Sequence, residues 1–352
     1  MQKRRVRMVI GFTVLILSLS SAAFSAQSPD QVMQELYKTA RTAGESKVIW
    51  QVATTLKEMQ PFIDTFEKRF PGIKVNAFSL SGSEAPARIV TEAAAKRVTM
   101  DVGEGLLENM IPLRERDLVV KLDWLTSMGV SPNLLHLDNG FFGNSHDVNT
   151  VWVRNTDLVK KSDEPRTWED LLDPKWKGNK MSVRGGGFFF LGLLPEWRKN
   201  QQKVVTYLQK LKKQELLVDA RAALVFDRTV RGETPIGLAN LLHLPKALKD
   251  GAKIAIMPIN PSVGRPNVNF IPKGSPNPNA AKLLMAWFST KECVEMHKSL
   301  GRGLAYPPGV SQMADLLQAA GVEYISMTKL EELRELDKFS LMVEEVLGFR
   351  PQ

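Results

Sequence analysis

The chain has 352 residues, 43% hydrophobic and 24% charged, with 47 Lys and Arg against 38 Asp and Glu for a formal charge of +9. Its single cysteine, Cys293, excludes an intramolecular disulfide, so the fold must hold by burial alone, and the length is enough for two domain-sized cores. The positive excess is spread along the chain, and no stretch interleaves basic residues with aromatics, so nucleic acid is not an expected partner.

The first predicted element is a targeting segment. Lys3, Arg4, Arg5 and Arg7 precede an apolar run at 8–19 broken only by Thr13 and Ser18, and the small residues of 20–26 follow. That order reads as a secretory signal spanning 1–26, with removal after Ser25 or Ala26. Its apolar core of about 12 residues is shorter than the ~18–20 that span a bilayer. Four positive charges leave with it, reducing +9 to +5. No cysteine stands at the cleavage point to carry a lipid, so the expected location is periplasmic, in solution.

From Glu45 the chain alternates short apolar runs with amphipathic helices. A strand is predicted over 47–52, a helix over 60–70 stopped by Pro71-Gly72, a strand over 73–78, a helix over 85–97, a strand over 98–102 and a helix over 106–116. This strand–helix rhythm predicts parallel pairing with helices on both faces. Further strands are predicted at 148–154, 181–183, 234–238, 253–258 and 267–271. Helices are predicted at 191–213, 222–231, 241–250 and 279–288, then one capped by Ser289-Thr290-Lys291-Glu292 and two more in the last forty residues. Thr167-Trp168-Glu169-Asp170 reads as a capping box.

The inventory for catalysis is thin. His136, His146, His243 and His297 stand far apart with no carboxylate at ligand spacing. There is no Gly-x-Ser-x-Gly elbow, no Walker loop and no dinucleotide fingerprint. Cys293 sits on a helix beside Val294 and Met296 and reads as a small buried apolar residue.

Polar, Gly-rich turns stand instead at predicted strand ends: Ala53-Thr54-Thr55, Ser79 to Ser83 with Ser81-Gly82-Ser83 at its tip, Gly103-Glu104-Gly105 and Arg184-Gly185-Gly186-Gly187. Ligands of parallel sheets sit at those carboxyl edges, and exposed N–H groups, hydroxyls and helix N-termini favour an anion or a polyhydroxy solute.

The segments FEKRFPGIKV at 66–75, TWEDLLDPKWKG at 167–178 and PKGSPNPNAAKL at 272–283 resemble the extracellular solute-binding proteins of ABC importers, and within them the ferric-iron-binding type. The likeness covers 47–310; residues 26–44 and the last forty match nothing. The resemblance implies the α/β two-lobed type II periplasmic-binding-protein fold, with mostly parallel sheets, a ligand cleft between the lobes and hinge closure. By pattern the crossings fall near 148–154 and 257–270, giving lobe one as 45–147 plus 265–310, lobe two as 148–264 and C-terminal helices over 311–352. It also implies a monomer without cofactor or catalysis, which takes a small-molecule ligand and delivers it to membrane permease subunits with their ATPase.

The chain departs from the ferric pattern. The segment at 237–243 aligns with the family's tyrosine pair but carries Leu241-Leu242, and Tyr37, Tyr207, Tyr306 and Tyr324 are scattered. Glu104 stands in for the family's carboxylate. Arginines supply charge instead: Arg184 before the three glycines, Arg221 and Arg265, each able to hold a carboxylate or phosphate through two parallel bonds. The expected ligand set is therefore Thr54, Thr55, Ser81, Gly82, Ser83, Glu104, Arg184, Gly185, Gly186, Arg221, Asn240 and Arg265, with no metal. A phosphonate, a sulfate-like anion, a carboxylate, a sugar phosphate and a neutral sugar all suit it. The alternatives are an importer component that binds a ferric or other transition-metal ion, with Glu104 and His243 as the candidate transition-metal ligands, and a periplasmic enzyme.

Overall fold

The computed structural model describes residues 28–143 and 145–349, so the signal expected at 1–26 lies outside them. The first helix, α1 (Pro29–Thr42), falls where the sequence matched nothing. Ser28 and Gln31 cap it reciprocally with proline at the first position, and Met33 and Ala40 are buried as it lies against α9 (Pro278–Phe288).

A βαβ unit follows, in which β1 (Lys47–Val52) and β2 (Lys74–Ser79) pair in parallel and α2 (Leu56–Arg69) joins them. Phe62, Phe66 and Phe70 from this unit are buried in one cluster with Trp50, Trp287 and Phe288. Next come α3 (Glu84–Ala94), β3 (Gly103–Leu106), a 3-10 turn (Leu107–Met110) and α4 (Ile111–Glu115). The expected strand at 98–102 is only a single bridge from Val102 to Trp50, and the expected turn at 103–105 is itself a strand. Its glycines are required by contact. A Cβ on Gly103 would strike the Phe270 ring, and one on Gly105 would meet the Gly82 carbonyl at 2.8 Å.

Two short strands, β4 (Leu135–His136) and β5 (Phe141–Phe142), precede the long β6 (Asp147–Asn155). The second body carries β7 (Met181–Arg184), a 3-10 segment (Gly187–Leu193), α5 (Leu194–Lys199), α6 (Gln201–Lys212), β8 (Leu217–Asp219), α7 (Ala222–Val230), β9 (Ile236–Asn240), α8 (Leu244–Lys249) and β10 (Ile254–Ile256). The single helix expected over 191–213 is broken, because Asn200 is extended and caps α6 by accepting from the Lys203 N–H. The chain returns through β11 (Ser262–Phe270), α9 and α10 (Lys291–Ser299), and ends with α11 (Gln312–Ala320), β12 (Tyr324–Ser326) and α12 (Leu330–Leu347).

The larger sheet runs β4-β5-β11-β6-β9-β7-β8. Its centre is an antiparallel crossing in which Gly264, Arg265 and Pro266 lie opposite Asn149, Val148 and Asp147. Beyond the crossing β11 pairs with β3 and β5, whereas β6 pairs with β9 and β10. Two lobes thus share two strands. The final helix α12 packs on α6 and the 3-10 segment, burying Leu333, Leu336, Phe339 and Val343. Arg334 of α12 pairs with Glu115 on α4, and Glu335 accepts from Arg198 of α5 at 2.8 Å.

One buried carboxylate fastens distant segments. Asp101, fully buried, accepts from the Ile49 N–H at 2.7 Å, the Ser275 hydroxyl at 2.7 Å, the Asn277 N–H at 2.7 Å and the Asn277 side chain at 2.9 Å. Removing it strands buried donors on both β1 and the entry to α9. Asp101→Ala should therefore lower stability by at least about 3 kcal/mol, read as a shift in the urea midpoint.

Candidate functional site

A cavity of about 350 Å³ opens where the crossing strands meet the loops after β1 and β2. Its polar lining is Thr54, Ser83, Glu104, Asn109, His146, Asn267 and Arg302, and its apolar wall includes Leu106, Val148 and Leu242. Both lobes contribute, since Leu242 follows β9 and the rest come from the crossing strands or the first body.

Glu104 is 5% exposed on β3. Its Oε1 accepts from the Asn267 amide at 2.6 Å across the β3–β11 ladder, while its own N–H donates to Gln51 at 2.9 Å. Burial pushes its carboxyl above the usual range, against the pull of the Asn267 bond, the Arg302 charge and the Ala53 N–H.

Arg302, 8% exposed, follows α10 and donates to Glu58 at 2.7 Å and to the Thr54 hydroxyl at 3.2 Å. Its charge is thus already matched on α2. Two histidines stand close by. His146 is held well below the usual imidazole range by burial, then by Arg302 and by His297. Burial and Arg302 bring His297 down to about 3, with its ring against Phe62 and its Nδ1 unpartnered.

Of the expected ligand residues, the cavity brings together Thr54, Gly82, Ser83 and Glu104. Gly82 lies against Gly105, where a Cβ would come within 2.9 Å of the neighbouring Cα, so the loop seats directly on β3. The others are occupied elsewhere. Thr55 is exposed and caps α2, and Ser81 is held by Glu84, whose side chain accepts from its hydroxyl at 2.6 Å. Asn240 caps the turn after β9 through the Leu242 N–H.

The three arginines also lie outside the cavity lining. Arg184 stacks on Phe189, and the Arg184-Gly185-Gly186-Gly187 loop is seated against α12. There the Gly187 N–H donates to Glu344 at 3.0 Å, and a Cβ on Gly187 would collide with the Ser340 backbone. Gly187 thus admits a helix of this chain. Arg221 is exposed at the start of α7. Arg265 pairs with Glu108 at 2.7 Å and stacks on Phe188.

His243 packs on Phe226, outside the cavity that Glu104 lines, so the structure does not assemble the Glu104–His243 metal pair. Among the described residues no three His, Cys, Asp or Glu side chains are grouped to hold a metal ion.

Sequence reasoning missed Asn109, His146, Asn267 and Arg302. Asn267 had a signal: in Asn267-Val268-Asn269-Phe270 polar residues alternate along a strand that is buried on both faces. Arg302 had a weaker one, being flanked by Gly301 and Gly303 at a helix end, where a search of strand ends does not look.

The fold and the cleft together define a two-lobed binding protein. A family model described as bacterial extracellular solute-binding protein matches residues 53–293, and the chain belongs to that family. A comparison with curated protein sequences found no match. Among solved structures, the chain is similar to iron-bound HitA from Pseudomonas aeruginosa at 18% identity and a TM-score of 0.68, over 85% of this chain and 99% of that one. It resembles the apo ferric ion-binding protein A of Pasteurella haemolytica at 19% identity and a TM-score of 0.69, over 87% and 99%. It also resembles AgtB of A. tumefaciens in complex with agropinic acid at 15% and 0.60, over 86% and 99%. At these identities the likeness concerns the fold alone.

Two outcomes follow. None of the four tyrosines lines the cavity. Tyr37 donates to the Pro71 carbonyl, Tyr207 is buried against Trp168, Tyr306 is 63% exposed and Tyr324 crowds Gly264. Ferric citrate should therefore produce no visible phenolate-to-iron absorption band.

The second concerns acid. An unfolded histidine takes up its proton near pH 6.5, whereas folded His297 resists until about 3, so stability is lost as pH falls below 6.5. Between pH 7 and 5 that loss should be roughly 2 kcal/mol through His297 alone. In His297→Gln this part of the slope should vanish from a pH series of denaturant melts. Glu104, shifted upward, acts in the opposite sense, losing stability as pH rises from the usual carboxylate value through its raised one.

Proposed function

We infer that this solute-binding protein of ABC transporters works in the periplasm as a monomer, after removal of a signal near Ala26. It holds a small polar solute in the cavity at the crossing strands and hands it to the permease subunits without chemical change. The observation that carries the reading is the position of the cavity. Val148 and Asn267 belong to the two strands that the lobes share, so closing the lobes about those strands changes the walls of the cavity itself. At about 350 Å³ it lies in the range of small-molecule sites, roughly 300–1,000 Å³. We take residues 45–147 with 265–310 as one lobe and 148–264 as the other.

The anion expected from the arginines loses its support, because Arg184, Arg221 and Arg265 all lie outside the cavity lining. The ligand class must come from the cavity.

The test is periplasmic extraction, N-terminal sequencing and mass spectrometry of the small molecules released on denaturation. One dominant unaltered solute and a start within a few residues of Ala26 are expected. A chain that begins at Met1 in the membrane fraction, or one that converts the solute to a product, would overturn the reading.

A further inference from the structure

We propose that the solute carries an ammonium group, which the cleft seats on the Glu104 carboxylate, with its hydrocarbon part against Leu106, Val148 and Leu242. The inference rests on the cavity being the transport site and adds to it the chemical class of the cargo.

The charges that line the cavity favour a cation. Among the described residues Glu104 is the one carboxyl in the lining, and Arg302 the one side chain there with a permanent positive charge. Arg302 is matched by Glu58 at 2.7 Å and by the Thr54 hydroxyl. The histidines beside it are held neutral by burial. A negatively charged solute would meet no uncompensated cation and would lie beside a carboxyl group that already resists ionisation. A positive group meets the reverse, the carboxyl of a residue only 5% exposed, whose neighbouring cation Arg302 is committed to another acid.

Hydrogen bonding agrees with charge. An ionised carboxylate offers about four lone-pair sites. In Glu104 two of them accept from the Asn267 amide and the Ala53 N–H, which fix the group in place and leave sites for an ammonium. In so buried a position such a contact is strong, because little water competes for either partner. Ser83, Asn109 and Thr54 add neutral polar groups to the lining, which suits either an amino acid or a plain amine.

The experiment is a thermal-melt panel on the unaltered exported chain. Its first arm holds the twenty common amino acids, 4-aminobutanoate, putrescine and agmatine. The second holds phosphate, sulfate, methylphosphonate, succinate and citrate; the third, glucose, maltose and ferric citrate. Stabilisation is expected within the first arm alone, and should disappear when the hit is replaced by its analogue lacking the amino group. Within that arm, an amino acid hit against its decarboxylated amine tells a zwitterion from a cation.

For the hit, calorimetry on Glu104→Gln should show affinity weakened at least ~30-fold, with a circular dichroism melt confirming that the isosteric variant folds. No hit in the first arm overturns the proposal. So does a hit that keeps its affinity in Glu104→Gln. A hit confined to the second or third arm overturns it while leaving the importer reading intact, whereas conversion of any panel compound to a product would count against that reading instead.

Discussion

The antiparallel contact between β6 and β11 is the constraint from which the rest of the molecule follows. Only three residue pairs meet there, yet each strand continues into a different lobe. The contact is buried and specified. Asn149 donates to Ser262 at 2.7 Å, and that hydroxyl donates to the Thr150 carbonyl at 2.9 Å. Gly264 has no space for a side chain because Tyr324 occupies it. These few pairs join the two halves of the sheet, and the cavity is built on the same strands.

Placing the cavity there has an electrostatic consequence. A carboxyl, a guanidinium and two imidazoles are drawn into one region with little water, and the protein matches them internally: Arg302 with Glu58, Glu104 with Asn267, the histidines by staying neutral. Arg265, which looked free in the sequence, obeys the same rule at the lobe junction, where it is 12% exposed and pairs with Glu108. A charge type read from sequence therefore says little about ligand charge until its partners are known.

The strand–helix alternation and the buried strands at 47–52 and 148–154 were legible because hydrophobic period and length carry them, whereas the two lobes came from the family resemblance. Glycine and proline misled in two places. Gly103-Glu104-Gly105 read as a turn because the glycines signalled freedom, when they serve close approach to Phe270 and Gly82. The strand at 262–270 was expected to begin only at 267, because Gly264 and Pro266 look like breakers. Pro266 is tolerated where β11 changes partners, from β6 and β12 to β3 and β5, so its missing donor falls at a seam in the ladder. Half of the site was visible as loops after strands. Arg302 and Asn267 were not, since their roles depend on neighbours more than a hundred residues away, Glu58 and Glu104.

The tether made by Asp101 also bears on the order of events during synthesis. Its partners Ser275 and Asn277 lie 174 and 176 positions further along the chain. β3, similarly, waits for the second half of β11. As the polypeptide emerges from the ribosome, the first body has β1, α2 and β2 in hand but lacks the strand and the helix that complete its core. Such long-range closure is intrinsically slow to form, so a nascent chain of this topology stays open until about three quarters of it has been made.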